Sequence, residues 1–352
     1  MGFVVGVPVT LHSHNFGKCN PQLAGARPSL GVFRSPLFIQ WRRERLVTAG
    51  VPGMNGRRKG VQIVTTSSHA LSAAESDYYT QQGYYCPVRV FDDAETAKFA
   101  NNFYEYRSLI SDRLQTLPAR DQHLVFSETH TFLYWVYEMV SHRAVLDAVR
   151  SILGPDLLVW NTRWFAKLPG EKMYITWHQD ATYWGLHPPN VATAWIALSE
   201  SDRENGCLRV IPRTHCGPLL PQRETYAADN ALSRGQEITV EVDESKAVDL
   251  VLKPGEMSLH HIGIVHGSNV NCSKKPRIGL AVRYITPDVA QDGAERQLAL
   301  LVAGKDGFGH FDLIDPPAVG ATSPDTPVHA EAVRRIFKNL MPEGYSSPQG
   351  NR

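Results

Sequence analysis

Cysteine is scarce: five in 352 residues, an odd number, with none in a CxxC spacing. That excludes a disulfide scaffold and a thiolate zinc site, and it leads us to expect free thiols and a cytoplasmic location. Long apolar runs are also missing; nothing approaches the roughly 18 residues that a membrane span needs. Net charge is nearly absent, at +1, so no global field argues for nucleic acid or a membrane as partner. Acid is almost missing from residues 1–70, where nine Lys/Arg face Glu44 alone. Residues 1–71 therefore read as a disordered basic tail, or as an over-extended start for which Met54 is the natural initiator. A cleaved targeting segment fits less well, because no basic stretch precedes the opening apolar run Phe3–Val9. No repeat and no long linker follows, so residues 72–345 count as one domain.

What is present has two textures. Residues 72–155 form a helical leader. Ser72 with Glu75 makes a capping box for a helix over Ala73–Gln82, which Gly83 ends. Tyr84–Val90 alternates like a strand, and helical periodicity resumes over 93–114 and 132–140. Ser141 is placed to cap a further helix ending at Leu153, before Gly154-Pro155. After Gly154 come short strand-like runs separated by Pro169-Gly170, Asn205-Gly206 and Pro254-Gly255. Such spacing over 156–290 indicates a mainly β core with flanking helices: a sandwich, barrel or jelly roll. The tail after Pro287 reads as irregular until one amphipathic helix over 329–340.

Within the strand region stands Trp177-His178-Gln179-Asp180. His178 and Asp180 are two apart on a strand, so they share a face and can share a metal ion. A lone HxD is weak evidence, since His310-Phe311-Asp312 repeats it. Context favours the first, because three histidines follow on later strands: His260, His261 and His266. With His266 the set becomes two histidines and one carboxylate, the arrangement that leaves iron(II) positions open for oxygen chemistry. His260 and His261 are adjacent, so they point to opposite sides and compete poorly. Arg277 opens the next strand, where its guanidinium suits the far carboxylate of a 2-oxoacid chelating the metal; Arg283 shares its parity and is the fallback.

These stretches resemble a known family. HQD at 178–180, ENGCLRVIPRTH at 204–215, SLHHIGIVHGSNVN at 258–271 and RIGLAVRY at 277–284 look like the phytanoyl-CoA dioxygenase family, over roughly residues 72–290. The resemblance implies a double-stranded β-helix (jelly-roll, cupin-like) core and an iron(II)/2-oxoglutarate-dependent dioxygenase that consumes O2 and releases succinate and CO2. It implies His178, Asp180 and His266 as iron ligands, and Arg277, Ser268 and Trp195 around 2-oxoglutarate, with no catalytic group beyond the metal ligands. Arg163, Lys167, Tyr183, Trp184 and His187 are candidates for the substrate side, and the turn holding Arg213 and Cys216 for the substrate entrance.

The fragments WHQDATYWGL, SRGQEI and PGEMSLHH look more like small-molecule hydroxylases than acyl-CoA enzymes, so the expected substrate is a small polar metabolite or natural-product intermediate. Some related enzymes are halogenases with a small residue in place of the acid; Asp180 argues for hydroxylation. Desaturation, epimerisation or cyclisation on the same fold remains open, as does a jelly roll that binds metal or ligand without oxygenase activity. The sequence sets no oligomeric state.

Overall fold

In the computed structural model, Phe16 and residues 69–340 are described, apart from Pro118 and Ala294. The expectations for residues 1–68, including the start at Met54, lie outside the described residues except at Phe16. That residue is buried, with its ring 5.5 Å from Trp177 and 6.3 Å from Tyr174, so it belongs to the core of the fold.

The helices are α1 (Ala73–Gln82), α2 (Asp93–Leu109), α3 (Ser111–Thr116), α4 (Tyr134–Val140), α5 (Arg143–Leu153), α6 (Ala181–Trp184) and α7 (Pro327–Leu340). The Ser72–Glu75 capping box forms, and Gly83 closes α1 in the left-handed region at φ 81°. The cap of α5 differs from expectation. His142, not Ser141, accepts from the Ala144 N–H, because the Ser141 hydroxyl already donates back to Tyr137 O at 2.6 Å.

The strands are β1 (Tyr84–Arg89), β2 (Leu157–Lys167), β3 (Ile175–His178), β4 (Leu186–His187), β5 (Val191–Ala197), β6 (Leu208–Ile211), β7 (Gln222–Glu224), β8 (Gln236–Ile238), β9 (Val248–Leu250), β10 (Glu256–His261), β11 (Val265–Ser268), β12 (Arg277–Ile285), β13 (Ala290–Gln291), β14 (Leu298–Ala303) and β15 (Asp312–Leu313). The tail is not irregular: the apolar run of β14 pairs antiparallel with β2 and widens the main sheet beyond residue 290. That sheet has the order β1-β10-β5-β12-β2-β14-β15, and a smaller one has β3-β11-β6-β9.

Alternation along the strands gives the main sheet two different faces. Ile278, Leu280, Val282 and Tyr284 of β12 join Ala194, Ile196, Met257 and Leu259 in a core against the helical leader, with Phe103, Phe132 and Trp164. The opposite face carries Arg277, Gly279, Ala281 and Arg283 and looks toward the smaller sheet. Phe165, Ile175 and Trp195 cluster across the gap between the sheets, and the rings of His260 and His266 lie 4.9 Å apart across it. Cys86, Cys207 and Cys216 are free, whereas Cys272 is in a disulfide, which corrects the expectation of free thiols throughout.

Candidate metal centre

His178 ends β3, and His266 stands opposite it in the register of β11. The strand stops there, and Asp180 becomes the first turn of α6, bringing its carboxylate back beneath both rings. One ligand atom from each of the three lies within 4.8 Å of the others. The two ring centroids are 4.0 Å apart, and Asp180 oxygens sit 3.4 Å from His178 Nε2 and 3.8 Å from His266 Nε2. All three residues are buried.

The donor chemistry fits a divalent metal. His178 Nδ1 is 2.9 Å from Thr176 O, and His266 Nδ1 is 3.0 Å from Ile264 O. A carbonyl only accepts, so each Nδ1 carries the hydrogen and each Nε2 turns its lone pair inward. Burial, then the neighbouring His178, pushes His266 down to about 4, so it is neutral near pH 7. Burial pushes the Asp180 carboxyl up, but His266, His178 and Arg283 outweigh it and hold the group below the ordinary carboxylate range. A neutral imidazole at His266 and an ionised carboxylate at Asp180 are states that metal ligation requires. Tyr183 donates to Asp180 Oδ1 at 2.7 Å and orients that carboxylate.

Beside the triad, the inner face of the main sheet ends in two buried cations. Arg277 and Lys167 are paired in register on β12 and β2. Lys167 Nζ donates to Ser268 Oγ at 2.6 Å and also to Asn269 O. Arg277 Nη1 donates to Gly206 O at 2.7 Å, while its Nε and Nη2 are buried without a partner. Burial, then Arg277, pulls the Lys167 amine well below its ordinary value, and burial brings Arg277 to about 10. Two desolvated cations and an unpaired guanidinium edge make a seat for a small anion. Trp195 lies against it, with its ring centroid 5.0 Å from the guanidinium carbon. The indole covers Gly279 so closely that a Cβ there would stand 2.1 Å from Cζ2.

The structure thus brings together His178, Asp180, His266, Arg277, Ser268 and Trp195, all of which line or border one cavity. Lys167, a candidate for the substrate side, joins them beside Arg277. Arg163, Tyr183 and Trp184 line the same cavity; Arg283 lies at the end away from Arg277. His187 does not: it is exposed, 3.6 Å from Asp292, because it follows the tight turn at Gly185 that carries the chain out to β4. His260 is buried beside His266, while His261 turns away to accept from the Gly263 N–H. The turn with Arg213 and Cys216 packs on the end of α1, where Arg213 N–H donates to Gln82 O, so it does not border the cavity.

Sequence reasoning missed Asn161, Trp160, Thr193 and Glu128 on the cavity wall, and Val333, Ile336 and Phe337 of α7 at its mouth. Asn161 shares the parity of Arg163, a signal that was present. Trp160 does not; it faces inward because β2 slips by one residue opposite Arg283 and Tyr284.

The family model described as phytanoyl-CoA dioxygenase (PhyH) matches residues 79–279. Peroxisomal phytanoyl-CoA dioxygenase of Bos taurus is 24% identical, covering 71% of this chain and 82% of that protein. Ectoine dioxygenase of Sphingopyxis alaskensis is 27% identical, covering 62% of this chain and 77% of its own. Among solved structures, the non-heme monooxygenase ThoJ in its apo form is 31% identical, with a TM-score of 0.61 over 75% of this chain and 94% of that one.

Proposed function

The chain belongs to the phytanoyl-CoA dioxygenase family of iron(II)/2-oxoglutarate-dependent oxygenases, and on that premise we propose that it hydroxylates a small organic molecule. Two inward Nε2 lone pairs and an ionised carboxylate, set beside an arginine edge with no partner, carry the reading. The strand orders β10-β5-β12-β2 and β3-β11-β6-β9, facing each other, support a double-stranded β-helix core. Relatives with names as different as ectoine dioxygenase and non-heme monooxygenase support a small-molecule substrate.

Iron(II), 2-oxoglutarate and O2 together supply an oxidant able to insert oxygen into a carbon–hydrogen bond, with succinate and CO2 as coproducts. The protein contributes position and dryness. His178, Asp180 and His266 would hold the metal on one side and leave the other side to ligands. Tyr183 fixes the carboxylate through Oδ1. Arg277 would take the far carboxylate of 2-oxoglutarate through Nε and Nη2. Lys167 and Ser268 stand beside it, and the cosubstrate's charge would offset the two buried cations. Trp195 keeps water from that end. Substrate would enter beneath α7 and lie against Trp160, Trp184 and Phe165. Asp180 fills the position that halogenases leave to chloride, which favours hydroxylation over halogen transfer.

The test is anaerobic addition of iron(II) and 2-oxoglutarate, which should give a weak visible charge-transfer band. Arg277→Met should raise the 2-oxoglutarate Kd by about tenfold or more, as expected when a charge-assisted pair is lost. Absence of the band, with no succinate from any substrate in a screen of amino acids, phosphonates, acyl-CoAs and secondary metabolites, would overturn the reading.

A further inference from the structure

Buried polar atoms without hydrogen-bond partners occur at several places among the described residues, and two groups of them lie on the inner face of the main sheet. One group is the free edge of Arg277, already assigned. The other lies six residues further along β12, roughly 20 Å away at about 3.3 Å per residue. There Arg283 Nε, Arg163 Nε, Trp160 Nε1 and Thr193 Oγ1 are all buried and unpaired. All four residues line the cavity that holds the metal triad.

The two guanidiniums are held as a pair. Both lie by the ring of Phe165, with centroid distances of 5.0 Å for Arg163 and 5.9 Å for Arg283; Arg283 also lies 5.2 Å from the Trp184 ring. Each commits one terminal nitrogen to the protein: Arg163 Nη2 donates to Ala231 O at 2.6 Å, and Arg283 Nη1 donates to Asn161 Oδ1 at 2.9 Å. Asn161 is braced in turn, donating through Nδ2 to Glu128. The slip in β2 opposite Arg283 and Tyr284 turns Trp160 into the cavity beside Asn161, so the local backbone is shaped to this end.

Charge does not balance there. Asp180 and Glu128 attract Arg283 from a distance, but no acid among the described residues acts on Arg163, whose main electrostatic neighbour is Arg283 itself. Burying two like charges side by side with unpaired donors is unfavourable until an anion arrives. The free hydrogens are those of planar forks, which match a carboxylate's two oxygens better than a spherical or neutral group. Aromatic walls from Phe165, Trp160 and Trp184 suit an apolar body attached to that carboxylate.

We propose that the Arg163–Arg283 end binds a carboxylate of the organic substrate, leaving the carbon to be oxidised between this anchor and the His178–Asp180–His266 centre. The inference rests on the oxygenase reading above and names the substrate class for it: a small carboxylic acid with an apolar body.

The test uses the full chain, anaerobic, with iron(II) and saturating 2-oxoglutarate to fill the Arg277 end. Benzoate, benzamide and phenylphosphonate are titrated, with quenching of tryptophan fluorescence as the readout. Benzoate should bind about tenfold or more tightly than benzamide. Arg163→Gln and Arg283→Gln should each erase that preference, and Arg163→Gln, which removes no group that acts on the metal ligands, should leave 2-oxoglutarate affinity within about twofold. Arg163→Lys, which keeps the charge and loses the fork, should retain part of the preference and guards against misfolding of the glutamine variant. Equal binding of benzoate and benzamide, no binding by any probe, or a preference that survives both glutamine variants would overturn the proposal. So would phenylphosphonate binding tenfold better than benzoate, which would assign a tetrahedral anion instead. Failure of 2-oxoglutarate to bind the iron-loaded wild type defeats the oxygenase reading; the benzoate preference tests the anchor separately.

Discussion

His178-Gln179-Asp180 and His310-Phe311-Asp312 share a pattern and differ in everything the pattern is taken to mean. In the first, His and Asp are buried and converge with His266. In the second, Phe311 is the buried member, packed with Trp160, Trp184 and Leu186. Alternation then sends its neighbours outward: His310 is exposed beside Phe308, and Asp312 pairs with Arg335 of α7. The middle residue decides. An apolar residue between His and Asp claims the core side for itself. Gln179 is buried too, but the strand ends at His178, so alternation does not turn Asp180 away, and the Gln179 amide is held between two backbone groups: Nε2 donates to Gly263 O at 2.7 Å and Oε1 accepts from Leu220 N–H at 2.8 Å.

The contrast can be broken one residue at a time. The largest effect should come from His178→Ala. It should remove the charge-transfer band and lower succinate formation by at least about a hundredfold, since losing a group that merely orients a metal ligand already costs about ten- to hundredfold. Phe311→Ala should leave the band intact and lower stability by about 3 kcal/mol, as for a buried phenylalanine, measured by denaturant unfolding. Gln179→Ala should cost roughly 2 kcal/mol by leaving a buried carbonyl and amide unpaired, with metal affinity reduced less than in His178→Ala. His310→Ala should change stability by less than about 0.5 kcal/mol and leave iron binding unchanged, as for an exposed site. If His310→Ala instead lost iron, the orientation argument would fail.

Much of the site was legible because it is local or periodic. His266 with Ser268, and Arg277 with Arg283, are parity statements, and strands obey parity; Asp180 was expected on the strand of His178 but meets it through the first turn of α6, because β3 ends at His178. What parity cannot supply is distance along a strand. Arg163 and Lys167 share a face of β2, and both were candidates for the substrate side. Four residues, at about 3.3 Å each, place Lys167 opposite Arg277 and Arg163 opposite Ala281, one same-face position short of Arg283. Trp160 was invisible because a one-residue slip breaks the periodicity itself. β14 was missed because a short apolar run carries no sign of which sheet it will join. The outward turn at Gly185 that strands His187 at the surface was likewise not readable from residue types. Phe16, in a segment given no role, is buried against Trp177; Phe16→Ala should therefore destabilise the fold by about 3 kcal/mol in the same unfolding assay.

The indole of Trp195 lying on Gly279 has a consequence for how this sequence can change over time. No single replacement at 279 escapes the ring, whose nearest atoms would meet a Cβ at 2.1, 2.4 and 2.5 Å. A smaller residue at 195 alone is possible, though it leaves a gap beside Arg277. Once that step is taken, alanine at 279 becomes accommodating where before it was excluded. The order of substitution is therefore constrained: position 195 must change first. A descendant that carries a side chain at 279 records, in that one residue, an ancestor that had already given up its tryptophan.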